Sequence, residues 1–455
     1  MKILHVVQAY HPVVGGAEGL VKHFSEQLAN RRGDEVTVFT AAVTKPTYFW
    51  RDEGAPLPAG TETINGVSVR RFPVSKRFQF ARMVLARSFY RLKLPYHDWA
   101  RTIQVGPLIP RLPQAIAQSG ADVVMAATFP FLHMYYAVSG GRRGQIPVVL
   151  TGAIHTEDKW GYDRQIMIRA INRADAYVAL TAYEKTFLVE KGIAPEKIHV
   201  IGGGVEAARF TGVTGAAARQ KYGLGDDPVI VVISRQSELK RLDTVIQAMP
   251  RVWAKFPQAR LLMAGARTAY SAQLDGMIAR LPPEQQARIT QIHDFPETEK
   301  PSIMAAADIF AHPSGNESFG IVFVEAWAAG KPVIGADVGA VASLITAGRD
   351  GLLFEYGRAA SLAEAILALL ANPGRRQAMG AAGRQKVQAN YTWEIVTDRL
   401  RDVYQQLFEN RKGGANNLSE KSQACIERSR NKTQRLTGEK SRQICGFFSR
   451  YNLSE

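Results

Sequence analysis

The sequence predicts an α/β protein of two domains, each a parallel sheet covered by helices on both faces. Three observations lead to this prediction. The chain has 455 residues, more than a single hydrophobic core usually serves. Its composition, 46% hydrophobic and 22% charged, is typical of a soluble globular protein. Short β-branched runs alternate with helical stretches in two successive series, the pattern of parallel sheets.

The first series of strands is predicted at KILHVV, EVTVFT, DVVMA, PVVLT, AYVAL and KIHVIG. A second series begins at PVIVVIS and continues through ARLLMAG, RITQIH, IFAHPS and KPVIGA. A glycine-rich stretch at 202–227 separates the two and suits a hinge between domains. We therefore predict a first domain over 1–205 and a second over 206–390.

The C-terminal part of the sequence changes character twice. Residues 391–410 have apolar and aromatic residues at helical spacing, which predicts a closing helix that packs back towards the first domain. Residues 411–455 are polar and basic, and we expect them to be disordered. Both cysteines, Cys425 and Cys445, lie there, so the rest of the chain has no disulfide framework, which fits a cytoplasmic protein.

The most informative segment is HPSGNESFGIVFVEAWAAG, in which seven residues separate Glu317 from Glu325. The turn-forming SGNES is predicted to open a helix whose unpaired amides and dipole would bind a phosphate. Glu317 would lie at the mouth of this helix, and Glu325 further in, able to accept hydrogen bonds from vicinal hydroxyls such as those of a ribose. The pattern suggests a nucleotide sugar, and the alternative is an ordinary amphipathic helix. The first amides of the helix are predicted to be those of Ser318, Phe319, Gly320 and Ile321.

Further candidates follow predicted strands, where ligands of doubly wound sheets bind. Arg235 and Lys240 lie in the loop after PVIVVIS and could stabilise a departing diphosphate, although a basic loop can also be plain solvated surface. Gly15 and Gly16 would let the backbone approach a ligand, unless they form only a turn. His155 could bond a sugar hydroxyl or be an ordinary loop histidine. No histidine pair has metal-ligand spacing, so we predict no metal and no cofactor.

Together these segments resemble the retaining glycosyltransferases of family 4, of the GT-B fold. The resemblance runs from Met1 to about Asn410 and is strongest in SRQSELKR, the two glutamates seven residues apart, and AGRDGLLF. It implies two Rossmann-like domains that face each other across a cleft, with the donor in that cleft and no required metal. One departure is IGGGVEAARF, which has Gly203 and Gly204 before Val205 in place of the family's usual asparagine followed by glycine.

The resemblance also implies roles for the candidate residues. Arg235 and Lys240 would neutralise the diphosphate, and Glu317 would contact the transferred sugar. Gly15 and Gly16 would lie beside the diphosphate. The remaining implied roles are phosphate binding for the amides from Phe319 and Ile321, ribose binding for Glu325, and sugar and acceptor contacts for His155. In the family the leaving phosphate helps to deprotonate the acceptor, so no general base is named.

The formal charge of +16 is concentrated in two segments. Residues 70–111 contain ten basic residues and one acidic residue, interleaved with aromatic and aliphatic side chains, and 411–455 contain ten basic and four acidic residues. We expect 70–111 to rest on an anionic membrane surface and to give access to a lipid-linked acceptor. The alternatives are a solvated helical face or a site for a soluble anionic acceptor. No nucleic-acid-binding motif accompanies the charge, so nucleic acid is not a predicted partner.

The sequence therefore predicts a hexosyl transferase that uses a UDP- or GDP-sugar and a glycan or lipid-linked acceptor, in the cytoplasm or on the inner face of the plasma membrane. Two other functions remain open: a nucleotide-sugar epimerase of the same fold, and a non-catalytic binder of sugar nucleotides. The sugar, the nucleotide and the acceptor are not encoded in any pattern that we recognise.

Overall fold

The computed structural model describes residues 1–13, 15–51 and 53–412. The predicted disordered tail, from 413 onward and with both cysteines, lies outside the described residues. Residues Met1–Val403 form one compact unit that contains two sheets. A second unit begins at Tyr404, and its described residues are helical as far as residue 412.

The first sheet has eight strands among the described residues, in the order β3-β4-β2-β1-β5-β6-β7-β8. All neighbours pair in parallel except β3 and β4, which are antiparallel. Most of these strands are buried along their length, which explains their continuous β-branched runs. The strands are β1 (Lys2–Val7), β2 (Glu35–Ala41), β3 (Gly60–Ile64), β4 (Val67–Phe72), β5 (Val123–Ala127), β6 (Val148–Thr151), β7 (Ala176–Ala179) and β8 (Ile198–Val200).

Helices connect these strands as expected for a doubly wound sheet. A hydrophobic core joins the sheet to its helices, with β5 and β6 fully buried. The helices are α1 (Gly16–Arg32), α2 (Gln79–Arg91), α3 (His97–Val105), α4 (Leu112–Ala117), α5 (Leu132–Gly144), α6 (Lys159–Tyr162), α7 (Gln165–Arg173) and α8 (Ala182–Glu190).

The hairpin of β3 and β4 was not in the predicted strand series. Asn65 and Gly66 form its turn, with φ values of 48° and 82°. An Asn-Gly pair between alternating residues is a strong hairpin signal, because both positions tolerate positive φ. The first sheet is therefore mixed at this edge, not wholly parallel.

The second sheet has six parallel strands within the described part of the chain, ordered β11-β10-β9-β12-β13-β14. Strand β9 therefore lies between β10 and β12, and the connections after β9 and β12 emerge side by side at the same edge. In such sheets this switch in strand order is where ligands bind. The strands are β9 (Val229–Ile233), β10 (Arg260–Ala264), β11 (Ile289–Ile292), β12 (Ile309–His312), β13 (Val333–Ala336) and β14 (Gly351–Phe354).

The second sheet has its own buried core, packed between strands and helices. The glycine-rich connection before it contains a 3-10 turn at Ala207–Arg209 and a short α-helix, α9, neither of which had been predicted. The helices are α9 (Ala216–Lys221), α10 (Leu242–Trp253), α11 (Ser271–Ile278), α12 (Pro283–Gln286), α13 (Lys300–Ala306), α14 (Ile321–Ala328), α15 (Gly339–Leu344), α16 (Ala359–Leu370) and α17 (Pro373–Asn390).

A final helix, α18, covers residues 393–412. Up to Val403 it contacts α1 of the first sheet. The indole of Trp393 stacks on the ring of His23, with 4.3 Å between ring centroids, and Arg401 makes two hydrogen bonds to Asp34, of 2.8 and 3.2 Å. The chain thus returns to the first sheet after completing the second.

Candidate functional site

A cleft of about 520 Å³ lies between the loops of the two sheets. All the predicted site residues except Arg235 and Lys240 line it. A larger groove of about 1290 Å³ lies over the first sheet between β4 and α4, and none of the predicted site residues lines it. The cleft therefore brings together predicted site residues from both sheets, from Gly15 to Glu325.

Glu317 follows β12 and is held by two partners. Lys240, from the connection after β9, donates a hydrogen bond to Glu317 Oε1. The buried His312 donates to the same oxygen from Nε2, at 2.9 Å. Burial works against ionisation of this carboxyl, but His312 and Lys240 outweigh it and hold the pKa of Glu317 well below its usual range. Glu317 is therefore ionised, and the Lys240 ammonium balances its charge.

The predicted start of the helix after Glu317 is wrong by three residues. Helix α14 begins at Ile321, and Gly320 is its N-cap with φ of 91°. The amides of Ser318 and Phe319 therefore belong to the preceding loop, while those of Gly320 and Ile321 belong to the helix terminus. The N-terminus of α14 still faces the cleft, because Gly320 and Ile321 line the cleft wall.

Glu325 lies in the second turn of α14, and its side chain is only 11% exposed. Its Oε1 accepts a hydrogen bond of 3.0 Å from Lys300 Nζ. Its Oε2 is buried and has no hydrogen-bond partner among the described residues. Burial raises the pKa of Glu325, and the charge of Lys300 opposes this rise. The open oxygen can accept a hydrogen bond from a ligand hydroxyl.

His155 follows β6 and reaches across to the second sheet. Its Nδ1 donates a hydrogen bond of 2.9 Å to Asn316 Oδ1, from the loop after β12. Burial lowers the pKa of His155, so the ring is neutral at pH 7. With the proton on Nδ1, the Nε2 atom is left as an acceptor for a hydroxyl group.

Glu184, which the sequence reasoning missed, holds the loop that carries His155. Its carboxyl accepts hydrogen bonds from Tyr177 Oη at 2.6 Å, from the Leu180 amide at 2.8 Å and from the Ile154 amide at 3.4 Å. Burial raises the pKa of Glu184 to about 7. Glu184 could have been found from the sequence TAYE, which is a helix-capping pattern. Thr181 caps α8, and Glu184 follows three residues later.

Gly15 and Gly16 lie at the start of α1 and line the cleft from the first sheet. At Gly15 the backbone is extended, with φ of −167°, so conformation does not require glycine there. A Cβ at Gly15 would lie 2.2 Å from Glu18 Oε2, so a larger residue would displace the end of the Glu18 side chain. At Gly16 a Cβ would meet nothing within 4 Å, so this position borders open space.

Arg235 and Lys240 both lie in the connection between β9 and α10, as predicted from the sequence. Lys240 reaches the cleft only through Glu317, and Arg235 is exposed. The structure does not bring Arg235 into the lining of the cleft.

Several cleft residues had no sequence signal of their own. Arg209 and Glu297 lie near Lys300, with the Arg209 guanidinium 2.8 Å from the Glu297 carbonyl oxygen. Gly203 and Gly204 leave room for aromatic rings, since a Cβ would lie 2.9 Å from the Phe319 ring or 2.4 Å from the Trp393 indole. Only the fold reveals these contacts, because the partners are far apart in the sequence.

Two kinds of feature are absent from the part of the chain that the structure describes. It contains no cluster of three or more His, Cys, Asp or Glu side chains arranged to hold a metal ion. It also contains no helix that is both long and apolar enough to span a bilayer. The absence of a required metal stays a prediction.

Two family models match the chain, one to each sheet. The model of glycosyltransferase family 4 matches residues 14–209, and the model of group 1 glycosyl transferases matches residues 216–386. Together they cover both walls of the cleft. This chain belongs to glycosyltransferase family 4.

Curated relatives of this family 4 chain include two enzymes named for phosphorylated inositol compounds. A GDP-mannose-dependent monoacylated α-(1-6)-phosphatidylinositol monomannoside mannosyltransferase of Corynebacterium glutamicum is 37% identical over 213 residues, 44% of this chain and 54% of that protein. A D-inositol 3-phosphate glycosyltransferase of Rhodococcus jostii is 30% identical over 259 residues, 53% of this chain and 55% of that protein. The chain thus spans about half the length of the curated relatives that it matches.

Solved structures confirm the GT-B fold of this family 4 chain. HepE of Anabaena, in complex with UDP and glucose, superposes with a TM-score of 0.67 at 19% identity, over 89% of this chain and 100% of that chain. Sucrose-phosphate synthase of Thermosynechococcus elongatus gives 0.65 at 19% identity, over 90% of this chain and 100% of that chain. At these identities the likeness shows the fold alone.

Proposed function

We propose that this chain is a retaining glycosyltransferase that moves a hexosyl group from a UDP- or GDP-sugar to a glycan or lipid-linked acceptor, in the synthesis of cell-surface polysaccharide or glycolipid. The observation that carries the proposal is the cleft, where the ionised Glu317, the neutral His155 and the open oxygen of Glu325 converge on the N-terminus of α14. The names of the relatives support transfer to a glycolipid. They include both a GDP-mannose-dependent enzyme and, among solved structures, complexes with UDP.

The donor is proposed to lie along α14. The backbone amides of Gly320 and Ile321 would bind the diphosphate, since unpaired amides at a helix N-terminus favour negative charge. Glu325 would accept hydrogen bonds from the ribose hydroxyls through its open Oε2. Gly15 and Gly16 would lie beside the diphosphate and sugar from across the cleft, with open space in front of Gly16.

The reaction breaks the bond between the anomeric carbon and the leaving phosphate oxygen and forms a bond from that carbon to the acceptor oxygen. The acceptor proton passes to the leaving phosphate, so atoms and charge balance without a protein base. Lys240, whose ammonium contacts Glu317 in the cleft wall, would stabilise the charge that grows on the diphosphate. Arg235 does not line the cleft and would have to move towards it to contribute. Glu317 would bind hydroxyls of the transferred sugar, and the Nε2 of His155 would accept a hydrogen bond from the sugar or acceptor.

A thermal-shift screen of the full chain tests donor binding. We expect UDP or GDP, and the matching sugar nucleotide, to raise the melting temperature with concentration. Glu325→Gln should reduce this shift, because it weakens the acceptor of the ribose hydroxyls. Glu355→Gln is a matched control, since Glu355 is exposed and pairs only with its neighbour Arg358.

Two outcomes of these assays would contradict the proposed function. If no nucleotide shifts the melting temperature, the cleft is not a donor site. If a sugar nucleotide is converted to its epimer without any acceptor, the chain is an epimerase. For a transferase, NMR of the product should show the anomeric configuration of the donor retained.

A membrane surface is proposed for α2 and the turn after it. In α2 only Ala86 is buried, and exposed side chains include Phe80 at 74% and Leu92 at 68%. Exposed basic residues of the same segment are Arg77, Arg87, Arg91 and Lys93. Apolar groups flanked by cations favour an anionic leaflet. This would place the protein on the inner face of the plasma membrane, next to a lipid-linked acceptor.

Not all the positive charge of 70–111 faces outward. Arg71 is 7% exposed and pairs with Glu62, while Arg101 is fully buried and pairs with Asp98 at 2.6 Å. These two arginines are structural. The proposed membrane surface is therefore centred on residues 77–96, where apolar and basic side chains are exposed together.

Sedimentation with vesicles tests this surface. We expect the protein to pellet with phosphatidylglycerol vesicles but not with phosphatidylcholine vesicles, and Phe80→Glu with Leu92→Glu to abolish pelleting. Leu239→Glu serves as a control, because Leu239 is similarly exposed, at 59%, but lies outside the segment. Equal pelleting of all variants would refute the surface.

A further inference from the structure

A second, smaller pocket of about 170 Å³ lies among α6, α7 and α8, beside the cleft. It has room for about five water molecules at about 30 Å³ each, the scale of a small polar group with its hydration. Tyr162 lines both this pocket and the cleft. The pocket is therefore next to the place where His155 enters the cleft, on the side of the first sheet.

The charged residues that line the pocket are three cations and one anion: Lys159, Arg164, Lys191 and Asp163. Its charge is therefore positive overall. Lys159 and Lys191 are exposed, and within the described residues neither has a carboxylate within 4 Å. Phe187 and Ile168 supply an apolar wall. The Lys191 ammonium lies 5.6 Å from the centroid of the Phe187 ring, a contact that leaves its charge without an anion. A positive, partly enclosed pocket with two amines that form no ion pair among the described residues is suited to an anion.

Arg164 is the buried member of this group, at 2% exposure. Its guanidinium donates to Thr102 Oγ1 at 2.6 Å and to the Trp160 carbonyl oxygen at 3.2 Å, both neutral acceptors. Its Nε is buried and has no hydrogen-bond partner in the described residues. A buried cation without a carboxylate partner is costly, and an anion in the pocket would offset that cost. Burial lowers the pKa of Arg164 to about 10, so it still carries its charge at pH 7.

The same region connects the pocket to the proposed membrane surface. Arg101, in the middle of α3, donates hydrogen bonds to the carbonyl oxygens of Trp160 and Asp163, at 2.8 and 2.9 Å. Its guanidinium also lies 4.5 Å from the centroid of the Tyr90 ring in α2. The pocket is thus bounded by residues that are fixed to the α2–α3 pair on one side and shares Tyr162 with the cleft on the other.

We propose that this pocket binds the phosphate group of the acceptor, so that the acceptor is a phosphate ester whose hydroxyl reaches the cleft past Tyr162. Lys159 and Lys191 hold the phosphate from the solvent side, and Arg164 faces it from the protein interior. This inference rests on the proposed function, since it assigns the acceptor of the same reaction. The phosphate belongs either to a soluble sugar or polyol phosphate, or to the headgroup of a lipid.

Calorimetric titration of the full chain, saturated with the nucleotide that it binds, tests the soluble source. The probes are inositol phosphate and its neutral counterpart, inositol. We expect the phosphate ester to bind more tightly than inositol, and Lys159→Glu and Lys191→Glu each to weaken it tenfold or more, since charge-assisted hydrogen bonds are lost. Arg169→Glu is the matched control, because Arg169 is an exposed cation of α7 that does not line the pocket.

Vesicles test the lipid source with the same variants. Binding to phosphatidylcholine vesicles that contain phosphatidylinositol is compared with binding to vesicles that contain phosphatidylserine at equal charge. If inositol phosphate does not bind, a preference for phosphatidylinositol that Lys191→Glu removes and Arg169→Glu retains would support the pocket with a lipid as its ligand. The proposal is overturned if Lys159→Glu, Lys191→Glu and Arg169→Glu bind inositol phosphate with equal affinity and also bind the phosphatidylinositol vesicles equally.

The nucleotide-induced thermal shift separates this inference from the proposed function. Lys159→Glu and Lys191→Glu should keep the full nucleotide-induced shift, because the donor is proposed to bind in the cleft and neither lysine lines the cleft. A loss of phosphate binding in Arg169→Glu as large as in Lys191→Glu would indicate a general effect of surface charge and would overturn the proposal. If no nucleotide binds the wild type, the proposed function fails, and with it the assignment of the phosphate to an acceptor.

Discussion

Glu317 shows how one side chain depends on residues from several loops. Lys240 comes from the connection after β9 and His312 from the end of β12, and both contact the same carboxylate oxygen. Since β9 and β12 are parallel neighbours in the sheet, the loops that follow them leave the same edge side by side. The ionised state of Glu317 is therefore a product of strand order as much as of the residues themselves.

Lys240 can be tested through its effect on Glu317. We expect Lys240→Met to reduce turnover about 100-fold, since it removes charge that would stabilise the leaving diphosphate. It should also raise the pKa of Glu317, so the acid limb of the pH-rate profile should move to higher pH. Steady-state rates across pH measure both effects.

Arg241→Met is the neighbouring control, because Arg241 pairs with Asp243 and does not line the cleft. It should leave turnover and the acid limb unchanged. Turnover of Lys240→Met within a few-fold of wild type would refute the role assigned to Lys240.

The sequence predicted residues that follow strands much better than residues that depend on helix ends. Lys240 and His155 could be placed because apolar runs mark the strands before them. The start of α14 was missed because Gly320 adopts φ of 91°, and the sequence SGNESFG offers several turn residues at which a helix could begin. Glu184 and Arg164 were missed because charged residues are expected on the surface, and only the fold shows their burial.

At the level of elements, the contact of α18 with α1 and with the turn after α1 combines exposed and buried ion pairs. Arg31 pairs with Glu394, and both side chains are about half exposed. Arg401 makes a two-pronged contact with Asp34, whose side chain is 1% exposed. Burial alone would raise the pKa of Asp34, but Arg401 and the terminal ammonium lower it below its usual value.

Removing each of these two ion pairs should lower the free energy of unfolding by a different amount. Arg401→Met leaves a buried carboxylate with less compensation and should lower the free energy of unfolding by about 3 kcal/mol. Arg31→Met removes an exposed pair and should cost less than about 1 kcal/mol. Urea denaturation at pH 7 measures both, and equal costs would contradict the burial argument.

The ion pair of Asp34 with Arg401 also makes the stability of the fold depend on pH. Because the pKa of Asp34 is depressed in the folded state, its stabilising contribution is complete above the unfolded pKa, near 3.8, and is lost as the pH falls through the folded pKa. Arg401→Met makes that depression smaller. We therefore expect this variant to unfold at a higher pH than the wild type during acid titration, whereas Arg31→Met should not.

At the level of the whole molecule, glycines in the connection between the sheets decide how closely the two halves approach. A Cβ at Gly203 would lie 2.9 Å from the ring of Phe319, which precedes α14 in the cleft wall. Gly203 thus allows the connection to pack directly against the proposed donor site. In the sequence, Gly203 stands out only as a departure from the family pattern, and its contact with Phe319 is visible only in the fold.

Gly203→Ala should therefore displace Phe319 and reduce the thermal shift caused by the bound nucleotide several-fold. Gly276→Ala is the control, because Gly276 lies in α11, where a Cβ would meet nothing within 4 Å. In a helix interior, alanine in place of glycine should stabilise the fold by about 1 kcal/mol. A full nucleotide shift in Gly203→Ala would show that Phe319 moves without affecting the site.

The return of the chain to α1 has a consequence for synthesis on the ribosome. His23, Phe24 and Asp34 belong to the first helix to emerge and the turn after it, yet the residues that cover them, Trp393 and Arg401, are translated after the whole second sheet. Domains usually begin to fold as soon as they leave the ribosome. Here the first domain must wait, with an aromatic surface and a carboxylate uncovered, until the second sheet has been translated. Nascent chains stalled before residue 393 should therefore depend more on chaperones than chains stalled after residue 403 has emerged.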